Sequence, residues 1–321
     1  MKQVMVLGGT GFVGTQVCEK LARQGWQVTV PTRNRLNAQH LLALPLLDVR
    51  ELDVHDEAAL AQVLVGQYAV VNLVAILHGT QAAFEWVHVD LPQKLVRAAL
   101  ATGVQRLVHI SAIGVNAHEP ESAPSMYLRS KGAGEAALLQ AVLAQPSGLD
   151  LTILRPSVIF GAGDKFLNVF ARLQEVLPCM PLAGAQARFQ PVWVGDVANA
   201  VACSLQTVAG AWPGETARTI EACGPEVFTL RALVQIAAQL HGIRGGRGRP
   251  VFALPDWLGR LQAALMELAP GEPVMSRDNL DSMRVDNVAS GQCATLQALG
   301  ITPAGLRSIA AGYLARPHAT A

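Results

Sequence analysis

The chain is poor in charge, in lysine and in aromatic side chains. Of its 321 residues, 15% are charged and 5% aromatic. Twenty-five basic residues nearly cancel 24 acidic ones, for a formal net charge of +1. A surface so balanced offers no electrostatic footprint for DNA or RNA, so no nucleic-acid partner is expected. The five cysteines (Cys18, Cys179, Cys203, Cys223 and Cys293) have no C-x-x-C spacing, and the eight histidines follow no ligand pattern. This argues against a disulfide framework and against a zinc site, and suits a reducing compartment; no metal is expected. No run reaches the 18 apolar residues of a membrane-crossing helix, and the first residues do not resemble a leader. A cytoplasmic protein is expected, with peripheral contact to the inner face of a membrane left open. Internal repeats and low-complexity linkers are also lacking.

What is present begins at once. Val4 to Leu7 reads as an apolar strand, and it runs into Gly8-x-x-Gly11-x-x-Gly14. A helical pattern follows, with Val13, Val17, Leu21 and Ala22 on one face. Strand, glycine turn and helix start in this order make a dinucleotide fingerprint. Gly8 lets the chain leave the strand sharply. Gly11 lets a pyrophosphate approach the N–H groups of Thr10, Phe12 and Val13 at the helix N-terminus. Gly14 lets the helix lie against the sheet.

The second strand, Gln27 to Val30, is followed by Pro31-Thr32-Arg33-Asn34-Arg35. An NAD-specific site usually places a carboxylate at the end of this strand, to bind the ribose 2′-hydroxyl. None stands there. The guanidinium of Arg33 can fork onto a 2′-phosphate. NADP(H) is therefore the preferred cofactor, with NAD(H) as the alternative.

Further strands are read at Leu47–Leu52, Tyr68–Leu73, Arg106–Ile110 and Leu151–Arg155. They alternate with helices at Glu57–Val65 (Asp56 as N-cap), Leu91–Thr102 (Gly103 as C-cap) and Tyr127–Ala144. The alternation predicts an α/β fold with a doubly wound parallel sheet of the Rossmann type. Ligands of such a sheet lie beyond the carboxyl ends of its strands. That rule selects Gly9, Thr10, Phe12, Thr32, Arg33, Asp53, Val54, Ala75, Ile76, Ser111 and Pro156. Asp53 can accept a hydrogen bond from an adenine amino group, or simply cap its loop.

Residues 125–131 read Ser-Met-Tyr-Leu-Arg-Ser-Lys. Tyr127 and Lys131 are four apart and share a helix face. An ammonium beside a phenol favours the phenolate, and a phenol so tuned can exchange a proton with a substrate oxygen. The lysine can also hold the nicotinamide ribose. With three tyrosines and five lysines in the chain, such a pair rarely arises by chance.

Together these residues resemble an extended short-chain dehydrogenase/reductase, of the NAD-dependent epimerase/dehydratase kind. The further matches are Arg155-Pro156-Ser157-Val158-Ile159-Phe160-Gly161 and Val192-Trp193-Val194-Gly195-Asp196-Val197-Ala198. Within that family, Tyr127-Leu128-Arg129-Ser130-Lys131, Ile110-Ser111-Ala112-Ile113-Gly114 and Ser276-Arg277-Asp278…Val285-Asp286-Asn287-Val288 resemble the NAD(P)-binding accessory subunits of respiratory complex I and their bacterial relatives. The resemblance implies that Pro156 and Val158 pass the nicotinamide, and that Tyr127 and Lys131 are the catalytic pair. The family's catalytic Ser or Thr, two residues beyond the first serine after strand five, corresponds here to Ile113. Its loss sets turnover apart from cofactor binding, and leaves Tyr127 and Lys131 the role of binding the nicotinamide ribose.

Residues 1–160 with about 186–222 are expected to form the dinucleotide domain. Residues 161–185 with 223–321 are expected to form a smaller, mostly helical lobe. Phe160, Phe166, Phe170, Met180 and Phe189 suggest an apolar pocket wall or plain packing. His78, Phe84, Trp86 and His88 are read as borders of a substrate pocket, with a buried, hydrogen-bonded histidine the commoner outcome than an acid/base for either His. Segment 251–268 carries Trp257, Leu258, Leu261, Leu265 and Leu268 on one side of a helix, read first as core packing and second as a face for a lipid, a quinone-like substrate or a partner. The function expected is an NADP(H)-dependent oxidoreductase or epimerase-like enzyme with an apolar or quinone-related substrate. Its rival is a non-catalytic NADPH-holding protein that stabilises or regulates a respiratory or quinone-handling complex, with a respiratory or quinone-biosynthesis partner.

Overall fold

A computed structural model describes residues 2–144, 148–206, 216–268, 271 and 273–315. The chain divides into two compact units. The first holds residues 1–156, 195–222 and 291–301 and is built on one eight-stranded sheet. Its strands are β1 (Gln3–Leu7), β2 (Gln27–Thr32), β3 (Leu47–Glu51), β4 (Ala69–Asn72), β5 (Arg106–Ile110), β6 (Asp150–Pro156), β7 (Ala217–Ala222) and β8 (Ala294–Thr295). The order is β3-β2-β1-β4-β5-β6-β7-β8, and every pairing is parallel. This is the doubly wound order, with its reversal of direction between β1 and β4.

The connecting helices are α1 (Phe12–Arg23), α2 (Glu57–Leu64), a short α3 (Gln81–Glu85), α4 (Leu91–Thr102) and α5 (Met126–Ala144). Their ends follow local chemistry. Asp56 accepts from the N–H groups of Ala58 and Ala59 at the start of α2. Gly103 closes α4 in the left-handed region, φ 74°, where a side chain would strain the backbone. Met5, Leu7, Val70, Leu107, Leu151 and Ile153 of the strands are buried with Leu60, Leu64, Leu91, Leu95 and Leu138 of the helices. Each such leucine stabilises the fold by about 2 kcal/mol relative to exposure. The near-continuous apolar strands reflect a sheet covered on both faces.

The second unit holds residues 157–194, 223–290 and 302–321. It contains α6 (Leu167–Val176), α8 (Leu230–Leu240), α9 (Asp256–Glu267), α10 (Arg277–Ser282) and α11 (Leu306–Leu314); α7 (Val194–Gln206) leads back into the first unit. The sequence reading placed all of 223–321 here and 186–222 in the dinucleotide domain. Residues 291–301 instead belong to the first unit, because Ala294 and Thr295 pair with Ile220 and Glu221. Residues 157–160 and 186–194 belong to the second. Phe160, Phe170, Met180 and Phe189 are buried in this unit's core, with Phe166 packed on it, so packing accounts for all five.

In α9 the expected core-packing face is reversed. Its buried side is Gly259 and Ala263, next to Ala183 and Leu280. Trp257, Leu261, Leu265 and Leu268 are 67%, 52%, 62% and 82% exposed. The two small residues let the backbone approach its neighbours closely, which turns the large ones outward.

Candidate functional site

The carboxyl ends of the central strands line up: Leu7 of β1 is level with Asn72 of β4, His109 of β5 and Ile153 of β6. The glycine turn leaves the sheet just past Leu7. Gly8 takes φ 78°, and the N–H of Gly11 donates to the Gly8 carbonyl at 3.1 Å. Gly11 is the N-cap of α1, without a side-chain cap. The first helical bond runs from the Thr15 N–H to the Gly11 carbonyl. The N–H groups of Phe12, Val13 and Gly14 therefore have no acceptor within the helix. A Cβ on Gly14 would lie 2.1 Å from the Gly8 carbonyl oxygen, whereas one on Gly11 would meet only that oxygen, at 3.4 Å. Gly14 is required by the protein itself. Gly11 faces open space at a helix N-terminus, the cradle a pyrophosphate needs, and so the turn fits the expected dinucleotide.

Arg33 follows the last residue of β2 and is exposed. Its turn is fixed on both sides: the Thr32 hydroxyl donates to the Asn34 carbonyl, and the Asn34 side chain accepts from the Leu36 N–H. Past β3, Asp53 accepts the N–H of His55 at 3.0 Å, so one of its oxygens caps the loop. Val54 is half-buried beside it, and Ala75, past β4, is exposed. The His55 ring stacks on Trp86 with centroids 4.3 Å apart. Lys94 covers the Trp86 ring and donates to the His55 carbonyl.

Tyr127 and Lys131 stand in the first turns of α5. Lys131 is 1% exposed, and its Nζ donates to the Ile110 carbonyl at the end of β5, at 2.6 Å. Ser111 comes next, with its Oγ buried and without a hydrogen-bond partner. The following side chains, Ala112 and Ile113, are buried and apolar, so no hydroxyl stands two residues beyond Ser111. Pro156 ends β6, and its carbonyl accepts the Ile113 N–H.

One expectation is corrected here. The lysine was read as lowering the phenol's pKa, but burial dominates and pushes Tyr127 up to about 12. Burial also pushes Lys131 down to about 8, against the opposing pull of Glu135. Each group loses water in forming its charged state, and that cost outweighs the pairwise attraction.

Sequence reasoning missed much of the polar network around this pair. His88, on a π-helical turn (Trp86–Asp90) before α4, accepts the Ile76 N–H at Nε2. Its proton therefore resides on Nδ1 and is donated to Ser130 Oγ at 2.8 Å. Ser130 in turn donates to the Tyr127 carbonyl. Burial, then Lys131, push His88 down to about 2, so it is a neutral strut. Asn72 uses its Oδ1 on the Val74 N–H, which leaves its amide to donate to His109 Nδ1 at 3.2 Å. The His109 proton then sits on Nε2, buried and without a partner. The helix approaches the π-turn closely because residue 134 is glycine: a Cβ there would lie 1.9 Å from the His88 carbonyl oxygen. Phe84 is buried and packs edge-on to Tyr127.

Val158 lies in the second unit, where its N–H donates to Asn287 Oδ1 at 2.9 Å. Ser157 Oγ donates to the same residue.

Residues 4–218 match the model of the NAD dependent epimerase/dehydratase family. The chain belongs to that family. The extended short-chain dehydrogenase resemblance is thereby borne out. Among curated relatives of this member, the rat (Rattus norvegicus) protein "NADH dehydrogenase [ubiquinone] 1 alpha subcomplex subunit 9, mitochondrial" is 32% identical over 95% of this chain and 78% of its own length. The Neurospora crassa "NADH-ubiquinone oxidoreductase 40 kDa subunit, mitochondrial" is 27% identical over 96% and 78%. Among solved structures, the Bordetella bronchiseptica enzyme WbmG, in complex with NAD, superposes with a TM-score of 0.69 at 19% identity, covering 97% of this chain and 92% of WbmG. The family member described here is thus homologous to complex I subunits, with an epimerase-like fold. Among its described residues, no helix is long and apolar enough to cross a membrane.

Proposed function

We propose that this chain binds NADP(H) at its glycine turn and acts as a nucleotide-holding component of a respiratory, quinone-reducing assembly. The observation that carries the binding is the open cradle at Gly11, bordered by the free N–H groups of the first turn of α1. Phe12, Val13 and Gly14 would contact the pyrophosphate, and Asp53, Val54 and Ala75 the adenosine. Ser111, Lys131 and Pro156 would serve the nicotinamide end. Arg33, at a strand end that lacks a carboxylate, supports a 2′-phosphate and hence NADP(H) over NAD(H). Replacing it tests this directly. Arg33→Asp is expected to weaken NADPH at least about tenfold relative to NADH, by loss of a charge-assisted pair. Competition binding reads the ratio, and an unchanged ratio removes the assignment.

The holding role is supported by the apolar Ala112 and Ile113 beside Ser111 and by the likeness to complex I subunits over most of both chains. A second reading is favoured by the retained Tyr127 and Lys131: an oxidoreductase or epimerase-like enzyme with an apolar or quinone-related substrate. A bound nicotinamide would there supply hydride exchange, and Tyr127 the proton to or from a substrate oxygen. Tyr127→Phe separates the two readings. The holding role predicts that cofactor retention and respiratory-complex content stay at parental levels. Retained cofactor with lost cellular function would establish the catalytic reading instead.

A further inference from the structure

A buried ionic chain runs behind the Tyr127–Lys131 pair. Glu135 is the next residue on the same face of α5, four beyond Lys131, and is fully buried. Arg155 on β6 grips it with two bonds, Nε to Oε1 at 3.0 Å and Nη2 to Oε2 at 2.5 Å. Such a fork fixes the carboxylate in position as well as pairing its charge.

The groups around the lysine amine sort by sign. From α5 come Tyr127, kept neutral by burial, and Glu135. From β5 comes His109 and from the π-turn His88, both held neutral by burial and by Lys131 itself. Arg155 interacts in turn with Glu221 of β7 and Cys293. Glu135 is the negative charge acting on the amine. A lone buried ammonium would otherwise give up its proton.

We propose that Glu135, locked by Arg155, is a positioning residue that keeps the Lys131 amine charged and extended to the Ile110 carbonyl, and so sets how tightly the centre holds a pyridine nucleotide. The link to the nucleotide rests on the proposed cofactor function; the link to the lysine does not. A neutral amine binds a polyanionic cofactor less well and donates more weakly to ribose hydroxyls. Removing the carboxylate should therefore hurt binding at alkaline pH and spare it at acid pH.

The test uses the full chain with both partners neutralised, Glu135→Gln with Arg155→Gln, so that neither member of the fork is left charged without the other. Circular dichroism and urea unfolding confirm the fold. Five lysines make the ¹³Cε signals easy to resolve, and Lys131→Arg identifies the one of interest. Without cofactor, the parent's Lys131 is expected to titrate near pH 8, and the double variant's about one unit or more lower, as loss of a nearby opposite charge requires. Glu135→Asp, which keeps the charge, should titrate closer to the parent. NADPH affinity of the double variant should fall about tenfold at pH 8.5, where the neutral amine prevails, and converge with the parent near pH 6. An unshifted lysine titration overturns the proposal, as does an affinity loss of equal size at both pH values. A shifted lysine in a protein whose parent takes up no nucleotide supports the charge-holding role and refutes the cofactor function.

Discussion

Gly11→Asp is expected to abolish measurable nucleotide binding in a protein that still folds. The new Cβ meets only the Gly8 carbonyl oxygen at 3.4 Å, so the protein itself has little to move. The carboxylate, however, would occupy the space in front of the Phe12 and Val13 N–H groups and repel the phosphates. A loss of about 3 kcal/mol or more corresponds to over a hundredfold in affinity. Gly14→Ala is the contrasting variant. Its methyl would sit 2.1 Å from the Gly8 carbonyl oxygen and 2.6 Å from the Gly9 Cα, both backbone, so α1 or the turn must shift. Overpacking of this kind costs about 1–3 kcal/mol and should lower the urea midpoint. The pair of variants thus separates ligand space from protein space within one motif. Equal thermal stability with equal NADPH uptake for Gly11→Asp and the parent would show that no phosphate enters there.

The second large effect is on stability. Glu135→Ala alone leaves the Arg155 guanidinium without its fork partner. Breaking a buried ion pair from one side costs about 3–5 kcal/mol, chiefly the penalty of the charge left behind, and neutral replacement of both partners costs far less. Urea unfolding should therefore rank the parent first, then the double variant (Glu135→Gln with Arg155→Gln), then Glu135→Ala, with the last step the largest. A single variant as stable as the double one would mean that water reaches this pair and solvates the guanidinium left behind.

The centre of the sheet could be read directly from the residues. Val4 to Leu7, Val28 to Val30 and Ala69 to Val71 are apolar at nearly every position, as strands covered on both faces must be. The glycine turn, the Asp56 cap and the Gly103 stop are local signals, and the structure realises them where the residues stand. The expected site residues of the first unit share the edge past the strand ends because a parallel sheet aligns those ends.

What could not be read depends on contacts between distant segments. Nothing near Glu135 in sequence reveals that Arg155, 20 residues on, takes its carboxylate. His88 reads as a pocket border or as a buried, hydrogen-bonded histidine, with its partners not legible. Its strut role needs the Ile76 amide and Ser130, 12 and 42 residues away. Helix α5 is rich in alanine and glycine, so it lacks a clear apolar stripe although it is largely buried. The return of Ala294–Thr295 to the sheet edge involves two residues, too few for a periodic signal. In α9 the pattern itself was read well, but periodicity gives a face and not its direction. Gly259 and Ala263 decided that the leucines point outward.

The proposed function requires a pyridine dinucleotide lying along the first turn of α1. Calorimetric titration of the purified full chain with NADPH and with NADH tests this most directly. The expected result is saturable uptake of one nucleotide per chain, tighter for NADPH, and lost in Gly11→Asp. Absence of heat and of thermal protection with either nucleotide, in protein shown to be folded and free of bound nucleotide, would contradict it.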